Sequence, residues 1–170
     1  AFWAVLMSMI IVFIYLLIRF RKWQFGLGAL FALVHDVLFI LGLFSLLNGV
    51  VPFSLDIDQA FIAAILTVVG YSINDTVVVF DRIREYLNLH HSKNADIEPI
   101  INDALNSTLS RTIITAVTTF FVLLVLFIFG GEVIRGFTFA MLVGVVVGTY
   151  SSIFIATPVV VDFMKKKKVK

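Results

Sequence analysis

The chain has 170 residues, of which 61% are hydrophobic and 14% are charged, and its formal net charge is +2. Soluble domains are about 45–50% apolar and about 25% charged, so the composition excludes an ordinary soluble domain. Cysteine is absent, which excludes disulfides and thiolate metal sites, and the small net charge does not indicate a nucleic-acid partner. Several nearly uncharged runs reach the ~18–20 residues that cross a bilayer. The sequence predicts an all-α integral membrane protein.

Five transmembrane helices are predicted in chain order, at about 1–18, 25–47, 58–80, 109–129 and 132–161. The first apolar run lacks the basic leader and cleavage site of a signal peptide, so we interpret it as a membrane span in a fragment of something longer. A short amphipathic helix is predicted at about 96–108, with Asp96 as its N-cap. It either lies in the membrane interface or caps the helix bundle.

Positive charges predict the orientation, because short cytoplasmic loops are enriched in lysine and arginine. All but one of the 13 lysines and arginines fall on one side of the predicted membrane, and the exception is Arg135. The first helix is therefore expected to begin outside and the C-terminus to be cytoplasmic. The basic tail at 164–170 is expected to contact anionic lipid, or alternatively a partner protein.

The fifth helix carries small residues at every fourth position. They are Gly136, Ala140, Gly144, Gly148, Ser152 and Ala156. Such a stripe lets a neighbouring helix approach closely, because packing replaces the hydrophobic effect inside a bilayer. We interpret these residues as a helix-packing surface.

Asp36 is predicted near the middle of the second helix, next to His35. An ionised carboxylate at that depth costs roughly 2.5–3.5 kcal/mol on insertion scales, so a protonated Asp36 costs less unless a cation is near. Two roles stay open, an interhelical hydrogen bond that fixes packing and a proton-handling group. The same two roles stay open for His35, which points about 100° away around the helix, a position that leaves room for a different partner. His90 and His91 are expected to be loop residues without a metal.

The stretch GYSINDTVVVFDRIRE at 70–85 places Asn74 and Asp75 inside the third helix. Small and polar neighbours on the same face favour an internal polar site, and the alternative is an interface reached by water. Arg111 opens the fourth helix at a similar depth and is the candidate counter-ion, although such an arginine can also extend to the membrane surface. A carboxylate balanced between burial and Arg111 could take up a proton from one side and release it to the other.

The same stretch resembles the signature of the SecF family of bacterial protein-export proteins. Three further segments resemble that family: ALVHDVLFILGLFSL at 32–46, NSTLSRTIITAVTT at 106–119 and GFTFAMLVGVVVGTYSSIFIATPVV at 136–160. The resemblance implies five helices of a six-helix half with the RND-type fold, in the bacterial cytoplasmic membrane. It also implies that the family's first helix and outer-face soluble domain are missing here.

The resemblance further implies a function and partners. SecF-type subunits assemble with a SecD half, separate or fused, and use the proton-motive force to assist preproteins leaving the SecYEG translocon. The family's proton-conducting aspartate and arginine correspond to Asp75 and Arg111. The expected coupling ion is the proton, with no other cofactor and no enzymatic activity. The alternatives are a structural scaffold subunit and an RND-type exporter of small molecules or lipids; an aspartyl protease built on Asp36 and Asp75 would need their carboxyl groups in hydrogen-bonding contact.

Overall fold

The structure, a computed structural model, describes residues 2–90 and 96–168. His91, Lys93 and the last two residues of the predicted basic tail lie outside the described residues. The described chain is all-helical, and four of its helices are long and apolar enough to cross a membrane. The apolar stretch Leu6–Phe20 of the first helix is shorter.

The helices follow one another with short connections. They are α1 (Phe2–Phe20), α2 (Trp23–Leu47), α3 (Gln59–Leu89), α4 (Ile97–Phe129), α5 (Glu132–Ser151) and α6 (Thr157–Lys168), with a π-helical turn at Ser152–Ala156 between the last two. The carboxylate of Asp58 caps α3 by accepting the Phe61 N–H at 2.8 Å. Gly131 makes the sharp turn between α4 and α5 at a φ of 80°, a conformation that glycine adopts without steric cost.

The separate amphipathic helix predicted at about 96–108 is wrong, because α4 is continuous over 33 residues. Nothing in the sequence breaks the helix at the expected junction, and Ser107 donates its hydroxyl back to the Ala104 carbonyl at 2.8 Å. Ile101 and Ala104 on its apolar face are buried among side chains of the bundle. This part of α4 therefore packs on protein.

The last helix extends beyond the predicted end at 161. The turn Ser152–Ala156 is π-helical, and α6 then continues to Lys168. The predicted basic tail is thus helical as far as it is described. Lys165 forms an ion pair with Glu98 at the start of α4, which ties the end of α6 to the neighbouring helix.

Two buried apolar clusters are separated by a layer of polar side chains. Along α3, Phe61 to Val69 belong to the first cluster and Val79 to Ile83 to the second. Along the last helix, Ala140 to Val145 lie in the first cluster and Ala156 and Val160 in the second. We call the buried residues between them the polar layer: Asp36, Ser72, Asp75, Ser151 and Ser152.

The small-residue stripe of α5 lies against α3. A methyl group added at Gly144 would overlap the Val68 side chain, and one added at Gly148 would come within 3.1 Å of Ser72 Cβ. Ala140, Ser152 and Ala156 are completely buried, whereas Gly136 faces the Ser54 carbonyl. Close contact between the two backbones places Ser151 and Ser152 beside α2 and α3.

We expect Gly144→Ala to lower the thermal unfolding temperature of the protein in detergent. Val68 is buried and stiff at χ1, so the added methyl forces a shift that costs about 1–3 kcal/mol. Gly42→Ala is the matched control, because a methyl there meets nothing within 4 Å and gains the same ~1 kcal/mol of helix propensity. Equal unfolding temperatures for the two variants would contradict the packing assignment.

Candidate functional site

Asp36 lies at the centre of the polar layer and is 0% exposed. Its Oδ2 accepts hydrogen bonds from Ser72 Oγ of α3 at 2.6 Å and from Ser151 Oγ of α5 at 2.8 Å. The carboxyl group of α2 therefore joins three helices. Buried polar groups need such partners because an unmet hydrogen bond costs about 1–3 kcal/mol.

Asp75 lies on α3 and is 8% exposed. Its Oδ2 accepts a hydrogen bond from Ser152 Oγ at 3.0 Å. Ser151 and Ser152 are neighbours in the chain, so adjacent hydroxyls of the last helix contact the two carboxyl groups. This connection is what links Asp36 and Asp75 in the structure.

Each of these two serines has a second acceptor within reach. Ser151 Oγ lies 3.1 Å from the Gly148 carbonyl oxygen, and Ser152 Oγ lies 2.9 Å from that of Thr149. A hydroxyl has one proton to donate and can also accept. Each serine can therefore donate to its aspartate when that aspartate is ionised. It can instead donate to its own backbone and accept a hydrogen bond from the protonated aspartate.

The π-helical turn begins at Ser152, directly at the two carboxyl groups. The Ser152 carbonyl oxygen accepts a hydrogen bond from Thr157 Oγ1 at 3.1 Å. The backbone of α2 comes close to the other end of the turn, where a methyl on Gly28 would lie 2.7 Å from the Ala156 carbonyl oxygen. Single π turns within α-helices are frequent at functional sites.

Arg111 does not form an ion pair with Asp75 among the described residues. Its side chain is exposed on α4, near enough to attract the carboxylate electrostatically. The neighbouring Thr112 turns inward instead and is 2% exposed. The hydroxyl of Thr112 lies beside Asp75, but it has no hydrogen-bond partner with good geometry in the described structure.

The chain neighbours of the two aspartates take different positions in the structure. Asn74 is exposed on the outside of the bundle, because successive residues of a helix point about 100° apart and Asp75 takes the inward position. His35 turns toward its chain neighbour, and its Nδ1 lies 3.1 Å from Asp36 Oδ1. The side chains of His35 and Asp36 turn toward each other and meet, although their Cβ atoms point about 100° apart around the helix.

Three residues of the site were not predicted to take part in it. Ser72 is one of the small and polar neighbours of Asp75 on the third helix, and Ser151 lies beside the small-residue stripe of the fifth helix and not on it. Thr112 follows the conspicuous Arg111 in the sequence. The only signal for these residues was a hydroxyl at membrane depth, which also occurs where a side chain merely bonds its own backbone.

The site does not have the geometry of a metal centre or a protease. No group of three or more metal-binding side chains exists in the described residues. Asp36 and Asp75 contact different serines, and no hydrogen bond joins their carboxyl groups within the described ranges. The arrangement is suited to holding and transferring protons.

The fold and the site define the chain as a multi-pass, all-helical membrane protein with two carboxyl groups buried between its helices. The family described as "Protein export membrane protein SecD/SecF, C-terminal" matches residues 1–166. The chain belongs to this family.

Individual relatives agree with this assignment. The chain is 61% identical over 162 residues to a protein from Rhodothermus marinus named "Protein translocase subunit SecF", a match that covers 95% of the chain and 52% of the relative. The chain thus spans about half the length of the curated relatives it matches.

Solved structures of SecDF are also similar. A crystal structure of SecDF in a super-membrane-facing form has a TM-score of 0.87 and 41% identity, covering 98% of this chain and 21% of that one. The crystal structure of SecDF from Thermus thermophilus, described as a translocon-associated membrane protein, has a TM-score of 0.83 and 42% identity, covering 95% and 21%.

Proposed function

We propose that this chain is the C-terminal membrane portion of a SecF-type subunit that uses the proton-motive force to assist late preprotein translocation across a bacterial cytoplasmic membrane. The observation that carries the proposal is the pair of buried carboxyl groups, Asp36 and Asp75, joined by adjacent serines. The name of the Rhodothermus relative, protein translocase subunit SecF, supports the assignment to protein translocation.

The proposed assembly contains α1 as a fifth membrane span, in a six-helix RND-type half whose remaining helix precedes this chain. Its partners are a SecD half, the SecYEG translocon and the preprotein. The side with most lysines and arginines is cytoplasmic, so α1 begins outside, and the basic end of α6 contacts anionic lipid. Similarity to SecDF structures supports the SecD partner.

Asp75 is the proposed proton carrier. When ionised it accepts the Ser152 hydrogen bond at 3.0 Å. When protonated it has its own proton to donate, and the Ser152 hydroxyl turns to the Thr149 carbonyl oxygen 2.9 Å away. Protonation therefore changes the contact between α3 and the π-helical turn, and so couples proton occupancy to the relative position of the helices.

The energy available is sufficient for such a switch. One proton crossing 100 mV supplies about 2.3 kcal/mol, which changes a two-state equilibrium roughly 50-fold. Asp36 is the proposed second member of the proton pathway. It contacts Ser151, whose chain neighbour Ser152 contacts Asp75, and its Oδ1 lies 3.1 Å from His35 Nδ1.

A structural scaffold is the competing function. The observation that favours it is the good hydrogen-bonding of Asp36, whose carboxyl group has three partners. A buried, satisfied network of this kind can fix helix packing without any transport role. The two functions differ in whether uncharged substitutes for the carboxyl groups retain activity.

The proposed function predicts that a proton gradient accelerates preprotein release. The measurement uses vesicles that contain the full-length parent, its SecD half and the SecYEG translocon, and follows release with and without an imposed gradient. A proton carrier added to the same vesicles should return release to the rate without a gradient. Release that ignores the gradient would favour the scaffold.

A further inference from the structure

A polar cleft opens between α3 and α4 on the side where the lysines and arginines cluster. Its volume is about 500 Å³, enough for several water molecules at ~30 Å³ each. We call it the α3–α4 cleft. Its polar lining consists of Asp81, Arg82, Glu85, Ser107, Thr108 and Arg111.

Arg82 bridges the two helices across this cleft. Its Nε donates to Ser107 Oγ at 2.9 Å, and its guanidinium pairs with Glu85 at 2.6 Å. The lining carries two guanidinium groups and two carboxylates, so its formal charges balance. A proton entering the cleft therefore meets no net positive charge.

Two threonines lead from the cleft toward Asp75. Thr108 lines the cleft, and Thr112 lies one turn further along the same face of α4, about 6 Å deeper. They are 7% and 2% exposed. The Thr112 hydroxyl is sealed from solvent and without a hydrogen-bond partner in the described structure, although it lies beside Asp75.

We propose that the α3–α4 cleft is the water-filled route by which protons pass between the lysine-rich side and Asp75, with Thr108 and Thr112 as its innermost hydroxyls. Buried hydroxyls are rarely unpartnered, and a water molecule from the cleft satisfies Thr112 and places it in a chain ending at Asp75. Hydroxyls and waters each donate and accept, so a proton moves along the chain as bonds are exchanged. The proposal rests on Asp75 being the proton carrier.

The first test substitutes Thr112 in the full-length parent assembled with its SecD half. We expect Thr112→Val to slow gradient-dependent release roughly 10²-fold, the lower end of what one proton-transfer group contributes, and Thr112→Ser to restore the rate. Co-purification with the SecD half checks that the valine variant still assembles. Thr138→Val is the matched control, because Thr138 is equally buried but bonds its own helix at 2.9 Å.

The second test uses the absence of cysteine from this chain. With other cysteines of the parent replaced, Thr108→Cys should react with a small, charged thiol reagent supplied from the lysine-rich side. Leu123→Cys, buried in the first apolar cluster of the same helix, should not. The labelling requires no transport, so it tests whether water reaches the α3–α4 cleft independently of the release assay.

The outcomes separate the two proposals. An unreactive Thr108→Cys, or a Thr112→Val variant with the wild-type rate, overturns the cleft route. If Asp75→Asn abolishes the gradient effect in the same assay, the proposed function survives that loss. If Asp75→Asn leaves the gradient effect intact, Asp75 is not the proton carrier, and the route that ends at Asp75 fails with it.

Discussion

Asp75→Asn is expected to abolish gradient-dependent preprotein release while the complex with the SecD half still assembles. Asparagine keeps an oxygen that can accept the Ser152 hydrogen bond seen at 3.0 Å, so the contact between α3 and the π-helical turn is retained. It cannot take up or release a proton, so the two states that the gradient drives no longer exist. The measurement is the release rate with and without a gradient, after assembly is checked by co-purification.

Asp103→Asn is the control for this experiment. Asp103 is an exposed carboxylate of α4 outside the proposed pathway, so its loss should leave both release rates unchanged. Wild-type acceleration in the Asp75→Asn variant would assign Asp75 a structural role. Loss of acceleration in both variants would point to a general effect of charge.

Asp36→Leu is expected to lower the free energy of unfolding by roughly 1–3 kcal/mol, the cost of leaving a buried hydroxyl unsatisfied. Ser72 loses its carboxylate acceptor at 2.6 Å. Ser151 is less affected, because it can turn to the Gly148 carbonyl oxygen at 3.1 Å. Thermal unfolding of the assembled complex in detergent measures the loss.

Asp36→Asn separates stability from transport at the same position. Its amide oxygen can accept from both serines, so the unfolding temperature should stay close to that of the wild type. If Asp36 belongs to the proton pathway, gradient-dependent release nevertheless falls. Normal release in Asp36→Asn, with destabilisation in Asp36→Leu, would confine Asp36 to packing.

The helical architecture could be predicted because membrane spans leave a strong signal. Long apolar runs must form helices to satisfy their backbone groups in lipid, and clusters of lysine and arginine mark every second end of these runs. The junction between residues 96–108 and the fourth span could not be predicted in this way. Whether a polar segment ends a helix depends on local hydrogen bonds such as that of Ser107.

The two carboxyl groups of the site could be predicted from the sequence, whereas their hydrogen-bond partners could not. Asp36 and Asp75 are conspicuous because a carboxyl group inside a membrane is costly. Their partners depend on the rotation and relative depth of α2, α3 and α5, and helical spacing within one segment carries no information about these. The sequence therefore indicates Arg111 only as a candidate counter-ion for Asp75, whereas the structure shows that the Ser152 hydroxyl contacts Asp75.

The π-helical turn explains part of this difference. Counting at 100° per residue assumes a regular α-helix, and the sequence gives no sign of the irregular turn at Ser152–Ala156. In the sequence, Ser152 is simply one more small residue of the helix-packing stripe. Its hydroxyl in fact donates to Asp75 from the first residue of that turn.

As the proposed proton carrier, Asp75 must bind and release a proton within the assembled complex. Difference infrared spectroscopy between acidic and alkaline pH detects this directly, through the C=O stretch of a protonated carboxyl group. We expect a carboxyl band in the wild type and in Asp103→Asn that is missing from Asp75→Asn. Identical difference spectra for the wild type and Asp75→Asn would show that this carboxyl group does not exchange its proton, and would contradict the role of Asp75 as the proton carrier.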